Sequence, residues 1–132
     1  FWPHMKIAFG AALPVGVGAD AADFAIVQEL QPGDIVVNTK KRVTAFETTD
    51  LDLIMRALGR DVMVITGIMT NCCDLCTAYY AGSKDYKVVL CMDMTRGSSP
   101  ADEAAAGLMI SRYIGLNTNS GELLREWRAQ KS

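Results

Sequence analysis

Three of the four cysteines fall within five positions, at Cys72, Cys73 and Cys76, and the fourth, Cys91, lies in an apolar run. The stretch TGIMTNCCDLCTAYYA (66–81) passes from a strand-like run through a glycine and a tight connection into a helical pattern. Thr70 or Asn71 can cap that helix, which puts Cys73 in its first turn. The positive end of a helix dipole favours a thiolate, and free amides there can hold an anion. Cys73 is therefore a candidate nucleophile, although a cysteine at a strand–helix junction is more often a small packed hydrophobe. Cys73-x-x-Cys76 also has the spacing of a redox dithiol. With Cys72 it offers two or three metal ligands, but structural zinc wants four, and His4 and Cys91 are far away in sequence. No metal is expected on these grounds.

Positioning those side chains requires a scaffold. Residues 1–20 are rich in Gly, Ala and Pro and read as irregular, and residues 21–30 read as a short helix. Gln31-Pro32-Gly33-Asp34 is a turn signal. The runs DIVVN (34–38), DVMVIT (61–66) and VVLCM (88–92) are short, apolar and without alternation, as strands covered on both faces are. Leu51, Ile54, Met55 and Leu58 recur at helical spacing, with Thr49 or Asp50 before them and Gly59 just after. Further helices are expected over 71–82, over 100–114 behind Ser99-Pro100, and after Asn119-x-x-Glu122, with a short extended piece before the last. Strands alternating with helices predict a doubly wound α/β fold, three layers with a mostly parallel sheet and helices on both faces. Ligands bind such sheets at the carboxyl ends of the strands, here Thr39–Arg42, Gly67–Cys73 and Asp93–Gly97.

The whole chain, 132 residues and 14.3 kDa, is expected to form one domain. Half of it is hydrophobic, which excludes wholesale disorder. Thirteen basic against fifteen acidic residues give a net charge of −2, which argues against a nucleic-acid partner. No apolar run approaches the ~20 residues of a membrane span. The segment from Met5 imitates a secretion signal, but Pro14 and several glycines interrupt it. Cysteines in core-like segments rather than spread among loops point to a reducing, cytoplasmic compartment.

The segment GDIVVNTKKRVTAFETTDLDLIMRALGRDVMVITGIMTNCCDLCTAYYA (33–81) carries K-x-R-x-[ST]-A-F, T-x-L, G-[IV]-x-T-x-x-C and T-A in that order. Together these motifs resemble the isochorismatase-like cysteine hydrolases, a family including nicotinamidases, N-carbamoylsarcosine amidase and ureidoacrylate amidase. The likeness runs from about Gly18 to Trp127. It implies that Cys73 is the nucleophile and Lys40 the catalytic lysine. It further implies a cis peptide joining Ile68 to Met69, and an oxyanion hole made by the backbone N–H groups of Met69 and Cys73. Cys73 argues against the true isochorismatases, which lack this cysteine and cleave an enol ether. The resemblance implies a small amide substrate, no organic cofactor and a homo-oligomer.

The family's catalytic aspartate ends the first strand, upstream of the lysine, and no residue here matches it. The family sheet has the order 3-2-1-4-5-6, so its first strand is central. The expectation is that the chain is the carboxyl-terminal two-thirds of a hydrolase domain, incomplete at its N-terminus, with little or no activity alone. Rival readings are a non-catalytic binding or oligomerisation domain and a thiol redox protein using Cys73 and Cys76. Trp2-Pro3-His4 is similar to a metal-binding stretch of nicotinamidases, although a solvated His4 is the better expectation. Phe46, Thr70 and Arg96 are candidate substrate-pocket residues; an aromatic at the position of Phe46 is more often core, and Arg96 more often a surface residue. Asp74 departs from the family pattern, which has an apolar residue after the nucleophile, and Cys72 is a second departure.

Overall fold

A computed structural model describes residues 29–37 and 39–130. His4 and the helix expected over 21–30, save for irregular Glu29 and Leu30, lie outside the described residues. The chain divides into two compact units, Phe1–Ile35 and Val36–Ser132. In the described part of the first, Gln31 and Asp34 close a tight turn. The Asp34 N–H donates to the Gln31 carbonyl at 3.0 Å, and the Gln31 N–H donates to the Asp34 carboxylate at 2.8 Å. Gly33 takes φ +99°, which a turn with Pro at its second position reserves for glycine.

The second unit contains α1 (Leu51–Ala57), β1 (Val62–Ile68), a π-helical turn (Thr70–Asp74), α2 (Leu75–Ser83), β2 (Lys87–Arg96), α3 (Pro100–Tyr113), β3 (Gly115–Thr118) and α4 (Ser120–Ala129). Of the strand expected over 34–38, the described residues 34–37 form none. Residues 34–37 are irregular, with Ile35 and Val36 exposed, because a β-branched run becomes a strand only where a neighbour takes up its backbone groups. The short extended piece expected near 115 is a true strand.

The three strands are parallel in the order β1-β2-β3. β1 has no strand on its outer side among the described residues. The β1–β2 register runs from Val62↔Lys87 to Ile65↔Leu90 and then resumes at Gly67↔Thr95, so β2 carries three extra residues over that stretch. Met63 and Ile65 of β1 and Val88 and Leu90 of β2 are buried with Ala78, Ala81, Tyr86 and Ile110. Helices cover both faces. Met92 abuts Gly107 of α3, while Asp93, pointing the opposite way in the pleat, accepts hydrogen bonds from the N–H and hydroxyl of Ser120 at the start of α4. The fold is thus the expected three-layer α/β architecture.

Local chemistry explains the helix ends. Gly59, at φ +61°, closes α1 in a Schellman motif: its N–H bonds to the Arg56 carbonyl and the Arg60 N–H to that of Met55. Leu51 and Met55 of α1 pack on the core, but Leu58 turns to solvent. The Ser99 hydroxyl accepts from the Asp102 N–H, with Pro100 at the first helical position. Asn119 caps α4 by accepting from the Glu122 N–H at 2.9 Å. The Glu122 carboxylate turns instead to the Thr118 hydroxyl at 3.0 Å.

Candidate active site

β1 delivers the chain to Ile68, the Ile68–Met69 peptide is cis, and Met69 is extended. The Met69 carbonyl then accepts from the Cys72 N–H at 3.0 Å and from the Asp74 N–H at 3.1 Å. The second of these bonds spans five residues and defines the π-helical turn. Cys73 lies between the two donors. Neither residue expected to cap this helix does so. The Thr70 hydroxyl is buried without a partner, and the Asn71 side chain crosses to the loop after β2. There its Oδ1 accepts from the Ser98 N–H and its Nδ2 donates to the Ser98 hydroxyl, both at 3.1 Å. This brace ties the cysteine turn to the carboxyl end of β2. A Cβ on Gly97 would lie 2.9 Å from Asn71 Oδ1 and 2.8 Å from the Glu103 side chain, so glycine is what lets the brace close.

Lys40 reaches Cys73 from the loop before α1. Its Nζ is 3.7 Å from the Cys73 sulfur and donates to the Arg42 carbonyl at 2.7 Å. The rest of the 40–46 motif anchors that loop. The Thr44 hydroxyl accepts from the Phe46 N–H, and the Ala45 N–H donates to the Thr77 hydroxyl of α2 at 3.0 Å. Phe46 is buried and its ring stacks on Tyr86, with centroids 5.9 Å apart. Tyr86 in turn donates to Asp52 of α1 at 2.7 Å, and this bond, with Lys84 beside it, holds the Asp52 carboxyl below its usual range.

Lys40 and Cys73 open on a groove of about 560 Å³. Val62–Ile68 floor it, Leu51 and Met55 of α1 wall it, and Lys40, Cys73, Asp74 and Thr77 close one end. Three expected pocket residues lie elsewhere. Phe46 is core, because its ring is spent on Tyr86. Thr70 is fully buried behind the turn. The Arg96 side chain is 71% exposed and turns to Glu103, 3.6 Å away.

The four cysteines are free thiols. Burial, and then the neighbouring Cys73, pushes the Cys72 and Cys76 thiols up, which disfavours the thiolate a redox partner of Cys73 would need. Cys91 is buried and donates to Asp93 at 3.2 Å. No group of three or more His, Cys, Asp or Glu among the described residues could hold a metal ion. No helix among them is long and apolar enough to cross a membrane.

Asp74 is the feature that residue spacing did not reveal as part of the site. It is 5% exposed and lines the groove, and its Oδ2 has no hydrogen-bond partner. Burial pushes its carboxyl up to about 6, with the Lys40 ammonium pulling the other way. A rise from the ordinary 3.8 amounts to ~3 kcal/mol held against the charged form. The folded chain thus keeps the proton that the unfolded chain loses first. Stability is greatest below the unfolded value and falls as pH rises through about 6. Asp74→Asn, which carries no charge, is expected to be more stable than the parent by ~1–3 kcal/mol at pH 7, with the gap closing near pH 4. Urea titrations at the two pH values check this.

A strand leading through a tight turn into a helix, with a thiol at the turn and an ammonium beside it, defines an α/β protein built for chemistry at a strand's carboxyl end. The Isochorismatase domain profile matches residues 3–120. The chain belongs to the isochorismatase-like cysteine hydrolase family. It is 41% identical over 96 residues to the ureidoacrylate amidohydrolase of Yersinia enterocolitica, covering 70% of this chain and 41% of that protein. A nicotinamidase from Bacillus subtilis superposes with a TM-score of 0.59 at 27% identity, over 61% of this chain and 44% of that one. A cysteine hydrolase from Pseudomonas syringae pv. phaseolicola shares the fold, with a TM-score of 0.81 at 22% identity over 97% of this chain and 65% of the other. The chain thus spans less than half the length of the curated relative it matches.

Proposed function

We propose that this chain carries the nucleophile and the lysine of a hydrolase that cleaves a small amide C–N bond through a Cys73 thioester. The observation that carries this reading is Lys40 Nζ at 3.7 Å from the Cys73 sulfur at the mouth of the groove. An ammonium at that distance is placed to steady the negative charge that develops at the reacting centre. The thiolate attacks the amide carbonyl, and the charge that develops on oxygen is received by the N–H groups of Met69 and Cys73. The C–N bond breaks, the amine leaves with a proton, and water hydrolyses the thioester. The names of the ureidoacrylate amidohydrolase and the nicotinamidase support an amide as substrate.

The base that takes the thiol proton is assigned to an aspartate on a strand along the outer edge of β1. The open edge of β1 among the described residues and the partial coverage of the relatives support that assignment. In this reading the chain is one incomplete domain, weakly active or inactive by itself, that needs no organic cofactor. It works as part of a cytoplasmic homo-oligomer. The test is site-resolved labelling with limiting iodoacetamide, read by peptide fragmentation. Cys73 is expected to label at least ~10-fold faster than Cys72 and Cys76. Equal or slower labelling of Cys73 would overturn the reading and leave a binding or assembly domain.

A further inference from the structure

We propose that Asp74 is a specificity-determining residue, whose carboxylate receives a cationic or N–H-donating group on the small molecule that Cys73 attacks. The inference rests on the reading of Cys73 as nucleophile and adds the character of the substrate.

The groove beside Cys73 is poor in charge. Its floor and outer wall come from β1, Leu51 and Met55, none of which carries a charge. Among the described residues, Lys40 and Asp74 are the charged ones lining it. Lys40 is already engaged, by the Arg42 carbonyl and the Cys73 sulfur. Asp74 is not: one carboxylate oxygen is buried beside the nucleophile with no donor among the described residues. α2 adds Thr77 to the lining, and the Thr77 hydroxyl accepts from the Ala45 N–H. α3, packed against the same turn, carries Glu103, but that carboxylate is held by the Gly97 N–H and Arg96.

A buried acceptor without a donor is costly, and a ligand that brings the donor relieves the cost. A ligand of the same shape without one leaves it in place, which is how polar sites reject apolar isosteres. The same burial pushes the Asp74 carboxyl up. The substrate class is therefore a small amide bearing an ammonium, amidine or amide N–H group close to its scissile carbonyl.

Cys73 reports on the charge beside it. The probes are three methanethiosulfonates of similar size, bearing an ammonium, a sulfonate or a neutral group. In each case the thiolate forms a disulfide and methanesulfinate leaves. Because each reagent meets the same thiolate population at a given pH, the ratio of rates cancels the ionisation of Cys73 and reads the local field. At pH 7.5 the ammonium reagent is expected to outrun the sulfonate by ~10-fold or more, and the ratio should shrink as pH falls below about 6. Asp74→Asn should lower the ratio at pH 7.5 by ~10-fold and remove its pH dependence, while Lys40→Gln should raise it. A urea midpoint for Asp74→Asn at or above that of the parent at pH 7 excludes unfolding as the source of that result. An unchanged ratio in Asp74→Asn, with Cys73 still reactive, overturns the role of Asp74 and leaves the nucleophile standing. A Cys73 inert to all three reagents overturns both.

Discussion

Acylation by a small activated ester is expected to fall at least about a thousandfold when Cys73 is replaced by alanine. A p-nitrophenyl ester suits this test because its leaving group departs without a proton. The reaction then asks only for a thiolate and a place for the oxyanion, and Cys73, Lys40 and the turn after β1 supply both. Release of nitrophenolate, with intact mass for the acyl adduct, is the measurement. Cys72 and Cys76 cannot substitute, because burial and the charge of their neighbour work against their thiolates. Persistence of the adduct in Cys73→Ala would move the nucleophile to another thiol. Lys40→Met should slow the same reaction by ~10–100-fold, since it removes the ammonium 3.7 Å from the sulfur but leaves the turn intact.

The site was legible where chemistry and local geometry share a short stretch of chain. Gly67 and the polar pair Thr70-Asn71 mark a strand turning into a helix, and Cys73 follows. The sequence pattern also joined Lys40 to Cys73 across 33 residues, a link that no local propensity carries. What stayed hidden depended on direction. Asn71 reads as a cap because its side chain can bond its own helix, yet Ser98 offers it both a donor and an acceptor. Asp74 stands out in the sequence only as a departure from the apolar residue that the family has after the nucleophile. The wider π-helical turn carries it under the groove. Arg96 ends a strand next to the site, but whether it faces the groove depends on three extra residues in β2, which no periodicity announces. The run at 34–38 failed for a different reason: strand character belongs to a pair of segments, and one segment reveals only half of it.

Gly115→Ala is expected to be the most damaging single-methyl change in the described part of the molecule. Gly115 opens β3 opposite Val88 of β2. A Cβ there would fall against the Val88 carbonyl oxygen, 2.8 Å from its carbon and 2.9 Å from the Val88 Cβ. These are atoms of a buried central strand. Val88 is 2% exposed and its neighbour Leu90 is fully buried, so the strand cannot yield without disturbing the core. Relief requires moving β3 away, which gives up the pairing from Val88↔Gly115 to Cys91↔Thr118. It would also loosen Asn117, which donates to the Gly107 carbonyl and ties β3 to α3. Overpacking of a close-packed core costs ~1–3 kcal/mol, and a clash with backbone belongs at or above the top of that range. Gly121 in α4 supplies the opposite case. Its added methyl would meet only the Asn119 side chain at 3.4 Å, and alanine is the better helix former by ~1 kcal/mol. Thermal melts of the two variants against the parent should therefore move in opposite directions, Gly115→Ala down and Gly121→Ala level or slightly up. If Gly115→Ala melts with the parent, β3 pairs less closely with β2 than the register requires. The carboxyl end of β2, which braces the cysteine turn through Ser98, would then be held by α3 and α4 instead.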